Sequence, residues 1–275
     1  MQPINALSFA PYARDWLANS RHPRILHVFD RACNLVNERR EVLSIVTPQI
    51  GNGPFNLVIE DDIFFFEYLN IQSTISIRAD QLNLGALAIN TANAKLWSPR
   101  PDWEKLYASR ENILNHLTPL PITNYQPSLP NSLVSNLSSS LAAADIPSAL
   151  TITFQLAGLG NGLTPAGDDF IFGAVLAAWI IHPPETASVL AKEITTTAAP
   201  LTTSLSAAWL MSAGRGEAGI LWHEFFDALI SDDKMAVKES VEELLAIGHT
   251  SGADALAGFI GLFMRWMTEP KLAIP

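Results

Sequence analysis

The chain is poor in charge, in cysteine and in long apolar runs, and each shortage removes a class of protein. Asp, Glu, Lys and Arg supply only 16% of its 275 residues, against roughly 25% in ordinary soluble domains. So little surface charge predicts that part of the exterior is covered, by a second copy or by partner subunits. The net charge is −10 and no run of Lys and Arg occurs. Non-specific nucleic-acid binding needs a basic footprint, so DNA and RNA are not expected partners. The single cysteine, Cys33, excludes an internal disulfide and a cysteine-held metal cluster. Its setting in "DRACNLVNER" predicts a buried structural thiol rather than a nucleophile. The longest strongly apolar run, Phe170 to Ile181, has 12 residues, whereas a bilayer-spanning helix needs about 20. "MQPINALSFAPYARDW" lacks the basic start and apolar core of a secretory signal. A cytoplasmic protein that does not associate with membranes is expected.

What is present falls into two halves. Residues from about 24 to 100 read as short strands rich in β-branched and aromatic residues: "RILHVFD", "EVLSIVTP", "FNLVIE", "DIFFFEYL", "STISIRAD" and "ALAINTANAKLW". Between two of them, Asn52, Gly53 and Pro54 of "QIGNGPFN" predict a turn with a positive-φ residue followed by a fixed one. Strands in such a series predict an antiparallel sheet, a sandwich or a small barrel. "SPRPDWEKL" then opens a helix running towards His116. Residues 118–132 hold four prolines and read as a connector. They place the boundary between a β-rich domain, 1–120, and a helical domain, 121–275. The fold class is α+β.

Within the helical half, "GLGNGLTPAGDD" (Gly158 to Asp169) runs into the apolar "FIFGAVLAAWII". It has an echo. "GLTPAGDDFIFG" resembles "GHTSGADALAG" (Gly248 to Gly258): Asp169 pairs with Asp254, Gly173 with Gly258 and, after a one-residue gap, Thr164 with Thr250. Each copy leads into a helix apolar nearly all round, which belongs in a core. With a glycine one turn in, two such helices can pack closely and bring their N-termini to one pocket. Helix N-termini expose unpaired N–H groups and a positive dipole end, which suits a phosphate or carboxylate. Gly160, Gly162, Gly167 and Gly252 let backbone approach a ligand. Thr164, Thr250 and Ser251 offer hydroxyls. Asp168, Asp169 and Asp254 suit proton transfer, an amide N–H or Mg²⁺. The plainer reading stays open: Thr164 as N-cap, Pro165 at the first helical position, and carboxylates that merely offset the dipole.

Arg215, in "GRGEAG", is the candidate cation for an anionic substrate, with Glu217 beside it. His249 is the one histidine inside a motif and a candidate catalytic group; His27, His116 and His223 read as packing residues. No His-x-x-x-His or Glu-x-x-His pair, nucleophile elbow or Walker loop occurs.

At these residues the chain resembles a known family. "GLGNGLTPAGDDFIFG", "GHTSGADALAG" and the upstream "GNGPFNLVI" are similar to a bacterial family. One branch of it is the H subunit of the three-component oxamate carbamoyltransferase of allantoin catabolism. The likeness spans about Ile25 to Met264. It implies carbamoyl transfer that interconverts oxalurate and phosphate with oxamate and carbamoyl phosphate. The aspartates would then hold the carbamoyl NH₂ or orient the attacking amide nitrogen. Two other readings stand beside it. One is a Mg²⁺-dependent kinase- or ligase-like enzyme holding a nucleotide phosphate; the other is a non-catalytic assembly subunit whose glycines only pack helices.

Overall fold

The computed structural model describes residues 2–117, 125–231 and 233–268. Residues 118–124 of the predicted connector lie outside these. The chain forms two compact units, residues 1–99 and 100–275.

The first unit holds β1 (Gln2–Phe9), α1 (Pro11–Asn19), β2 (Arg24–Val28), β3 (Ala32–Val36), β4 (Val42–Val46), β5 (Asn56–Ile59), β6 (Ile75–Arg78), β7 (Gln81–Leu84), β8 (Leu87–Asn90) and β9 (Lys95–Leu96). The strands run in the order β2-β3-β4-β5-β1-β8-β7-β6 and form a nearly closed barrel. Hairpin neighbours are antiparallel, but β4–β5, β1–β8 and β1–β9 are parallel. The sheet is therefore mixed. β1 joins its two halves. One edge runs antiparallel to β5 through a register shift between Ala6 and Ser8, while the other pairs first with β8 and then with β9. Its inward residues are Ile4 and Ala6, a period of two that only two apolar residues carry. They meet Ile25, Leu35, Ile45, Leu57, Leu82 and Ile89 in the core of the unit. Cys33 is buried there, and burial pushes its thiol up to about 12, so it is not a nucleophile.

Two sequence expectations fail here. "DIFFFEYL" is not a strand: Phe65–Glu67 form a 3₁₀ turn, and the buried residues are Ile63, Phe65 and Leu69. The step of four from Phe65 to Leu69 fits a helical turn, closed by the Leu69 N–H donating to the Phe65 carbonyl. In "QIGNGPFN" the positive-φ residue is Gly51, at 75°, rather than Gly53. Asn56 reaches back to the Gly51 carbonyl and closes the turn one step earlier.

The second unit is helical: α2 (Trp103–Leu117), α3 (Asn131–Ala142), α4 (Ile146–Leu156), α5 (Ala166–Ile181), α6 (Pro184–Ala198), α7 (Ser204–Gly214), α8 (Ile220–Ser231), α9 (Lys234–Leu245) and α10 (Ser251–Thr268). Helix α2 packs against α5 and α8, so by its contacts it belongs to this unit, ahead of the boundary expected at 120. The β-branched "ALTITFQL" is helical because Ala149, Ile152, Thr153 and Leu156 are buried at a helical spacing.

At the centre α5 crosses α10. From Phe170 to Ile181 every side chain of α5 is buried. The two backbones touch at a pair of glycines: a Cβ on Gly173 would stand 1.7 Å from the Ala255 carbonyl oxygen, and one on Gly258 2.0 Å from that of Phe170. Each glycine meets the residue that follows the aspartate of the other motif. The relation is reciprocal, as in a local two-fold.

The duplication extends outwards. Gly167 rides on the Leu156 carbonyl at the end of α4, and Gly252 on the Leu244 carbonyl at the end of α9, with Cβ clearances of 2.0 and 1.8 Å. The Gly167 N–H donates to Leu159 and the Gly252 N–H to Ile247, by the same geometry. Asp145 caps α4 and Asp233 caps α9. So α4–α5 and α9–α10 are two copies of one helix-pair arrangement.

The glycine crossing makes a sharp expectation. Gly173→Ala and Gly258→Ala should each lower the unfolding free energy by about 1–3 kcal/mol or more, since the obstacle is backbone and cannot swing aside. Gly261, also on α10, has its nearest neighbour at 3.5 Å, a Ser138 side-chain atom. Gly261→Ala should be neutral or stabilising by about 0.5–1 kcal/mol. Denaturant unfolding of the three variants checks the contrast.

Candidate functional site at the paired helix starts

The loop from Gly158 to Thr164 climbs from α4 to the start of α5 with three positive-φ glycines: Gly158 at 73°, Gly160 at 124° and Gly162 at 98°. Gly160 is pressed against the Ala166 amide, while Gly162 faces open space, and both are exposed. Only glycine takes these torsions without strain. The second copy makes the same climb in three fewer residues, with Gly248 as its positive-φ glycine.

Structural register corrects the sequence pairing. The Asp169 amide donates to the Pro165 carbonyl and the Asp254 amide to that of Thr250. Pro165 therefore matches Thr250, Ala166 matches Ser251, and Asp168 matches Ala253. Thr164 has His249 as its counterpart, with no gap. Nor is Thr164 the N-cap. Pro165 holds that position, and the Thr164 hydroxyl instead meets the Ser251 hydroxyl at 2.8 Å, joining the two helix starts.

The three aspartates have different surroundings. Asp168 is buried at 1% exposure and turns towards the protein. It accepts from the Gly158 amide at 2.8 Å, from the Ser206 hydroxyl at 2.8 Å and from the Thr202 hydroxyl. Burial raises its pKa, and Thr202, Gly158 and Ser206 hold the rise back. Its partners bind the loop to the start of α7, and Ala253 stands in its place where the loop is shorter.

Asp254, equally buried, accepts from the Tyr125 hydroxyl at 3.0 Å. Burial raises its pKa, opposed by Tyr125 and by the Thr250 hydroxyl. Asp169 is half-buried as a residue, yet its Oδ2 is sealed from solvent without a hydrogen-bond partner. Burial pushes its carboxyl up to about 8. The Ser251 hydroxyl opposes this, the charges of Asp254 and Asp168 add to it, and the Thr164 hydroxyl opposes it slightly. Asp169, Asp254, Thr164, Ser251 and Tyr125 thus form one polar group where α5 and α10 begin.

Of the remaining candidates, Thr250 meets Asp254 through its hydroxyl and the others lie elsewhere. Arg215 caps the C-terminal end of α7, nine residues beyond Ser206, or about 14 Å along the helix. Its guanidinium pairs with Glu217 at 2.7 Å, and its carbonyl accepts from Arg100. The structure does not bring it to the aspartates. His249 and Thr250 are exposed on the loop before α10, and Gly252 is buried in its helix contact. Among the described residues no group of three or more His, Cys, Asp or Glu is gathered as a metal ion would need. Nor is any helix there long and apolar enough to cross a membrane. Tyr125, Thr202 and Ser206 were missed from sequence. Tyr125 lies in a proline-rich stretch with no periodicity, and only the hydroxyl-rich "PLTTSLS" hinted at the other two.

The fold and this group define a class: a β-barrel unit followed by a helical unit built on a duplicated glycine–aspartate helix start. Residues 5–96 match the AllH family N-terminal domain, and residues 156–263 match the family described as oxamate carbamoyltransferase subunit AllH. The chain belongs to the AllH family. No solved structure matches it.

The surroundings of Asp168 separate it from Asp169. Asp168→Ala should cost about 1–3 kcal/mol by leaving three donors unpaired, and should speed proteolytic cleavage between Gly158 and Thr164. Asp169→Asn should do neither, and limited proteolysis beside thermal unfolding distinguishes the two.

Proposed function

We propose that this chain holds the primary-amide reactant of a carbamoyl transfer at the paired starts of α5 and α10, working with the partner subunits that its family description implies. The observation that carries the reading is Asp169. The residue is only half-buried and one of its carboxyl oxygens has no protein partner, which leaves the group with capacity for a ligand N–H.

The chemistry suits such a group. Oxamate and carbamoyl phosphate each join an H₂N–C=O head to an anionic end. The head would sit against Asp169, and the anion would lie towards the two helix N-termini, whose dipoles favour negative charge. As the oxamate nitrogen attacks the carbamoyl carbon, the bond from that carbon to the phosphate oxygen breaks. The nitrogen gives its proton to Asp169, and phosphate leaves. Oxalurate and phosphate are the products, and the proton passes to phosphate. A carboxyl raised to about 8 is a far better base than an ordinary aspartate.

A second reading has its own support. Gly167, Gly173, Gly252 and Gly258 all sit at helix contacts too close for a Cβ, and Asp168 is bound by protein donors. Most of the motif has a packing role, as a non-catalytic assembly subunit would require.

Asp169→Asn decides between them. With partner subunits present, oxamate-dependent phosphate release should fall by about 10²–10⁴-fold, the usual worth of a general base. Wild-type turnover in a folded variant would leave only the packing role. Stability gives an independent readout. Asp169 keeps its proton in the folded state to about 8 but has an ordinary value of 3.8 when unfolded. Its contribution is therefore present at low pH and is lost as pH rises between those values. The melting temperature of Asp169→Asn should gain on that of the wild type from pH 5 to pH 8.

A further inference from the structure

The two copies of the helix start are alike in backbone and glycine contacts, yet their carboxylates are treated differently. Asp254 receives a phenol hydroxyl carried by a residue 129 positions earlier in the chain. Asp169, its counterpart, has a sealed oxygen and no such donor. We propose that Tyr125 is a positioning residue that fixes Asp254 as the ionised member of the pair and so leaves Asp169 as the member that exchanges a proton. This rests on the reading of Asp169 as the group that meets the substrate amide.

Two carboxyls in symmetric surroundings would share a proton without assigned roles. Donors break the tie, because a hydrogen bond to the charged form stabilises that form. Tyr125 and Thr250 face Asp254; Ser251, Thr164, Asp254 across the helix crossing and Asp168 on the same helix face Asp169. Both carboxyls thus meet aliphatic hydroxyls, and the phenol, the more acidic donor, is what sets Asp254 apart. Each ionised neighbour makes Asp169 hold its proton longer. Tyr125 packs against the helical core. Burial and the Asp254 charge push its own hydroxyl up to about 12, so it remains a donor throughout the neutral range. Environments that drive two acids apart are how a site separates its acid from its base.

The test is Tyr125→Phe in the full chain with partner subunits, which keeps the ring and removes the hydroxyl. Asp254 then takes up the proton more readily, and Asp169 ionises at lower pH. The acid limb of the kcat/KM profile should move to lower pH, while the plateau kcat falls by about 10–100-fold, as when an orienting partner is lost. Fluorotyrosine in place of Tyr125, a more acidic donor of nearly the same shape, should move the limb to higher pH. It also serves if the phenylalanine variant melts early. A limb that stays put in both variants, with Asp169→Asn inactive, overturns this inference alone. Wild-type turnover in Asp169→Asn overturns the reading beneath it.

Discussion

Everything in the helical unit follows from two helix backbones meeting without side chains between them. Gly173 lies against the carbonyl of Ala255 and Gly258 against that of Phe170, so α5 and α10 touch one turn inside their starts. Their N-termini are then neighbours, which is why Thr164 and Ser251 meet across them. Helices this close, and apolar nearly all round, exclude water from their shared seam. A carboxylate just beyond that seam sits in low dielectric beside two positive dipole ends. The raised pKa of Asp169 and that of Asp254 are consequences of this burial.

Duplication explains the regularity, and divergence explains the site. Both copies keep the helix-end cap, the glycine that rides on the preceding helix, the aspartate and the crossing glycine. They differ where the chain needs them to. The longer first loop must be held, and Asp168 holds it through Gly158, Thr202 and Ser206; the shorter second loop has Ala253 instead. One aspartate receives a tyrosine and the other keeps an oxygen without a partner. A near-symmetric scaffold thereby carries two carboxyls in unequal surroundings.

The interior of the helical unit is aromatic as well as aliphatic. Trp222, Phe225, Phe226 and Phe259 pack with ring centroids 5.5–6.0 Å apart, and Phe172 joins through Trp222. Such rings bury large area with few rotamers to lose, which suits a rigid support for a site that must hold its geometry.

The helical half was legible from sequence because its signals are local. An apolar run, a glycine four residues after an aspartate and a repeated Gly-x-Thr survive in any context, and together they predict two close-packed core helices. The β-rich first half was legible as a class, since β-branched strands and turn residues are also local. Pairing was not. β1 has only Ile4 and Ala6 to announce it, and its parallel partners β8 and β9 lie about 80 residues away. "DIFFFEYL" carried strand composition, and Ile63 and Phe65 are buried two apart as in a strand, but the chain closes a turn from Phe65 to Leu69. Within the candidate site, the sequence named Asp168, Asp169 and Asp254 alike, because residue type and spacing are identical evidence for all three. Only the tertiary structure separated them: which carboxylate meets Thr202 and Ser206, which meets Tyr125 and which keeps one oxygen without a partner depends on segments far away in the chain. It also removed Arg215, whose place beside a glycine loop looked right. A helix of 11 residues carries it to the far end, a distance that one-dimensional spacing cannot express.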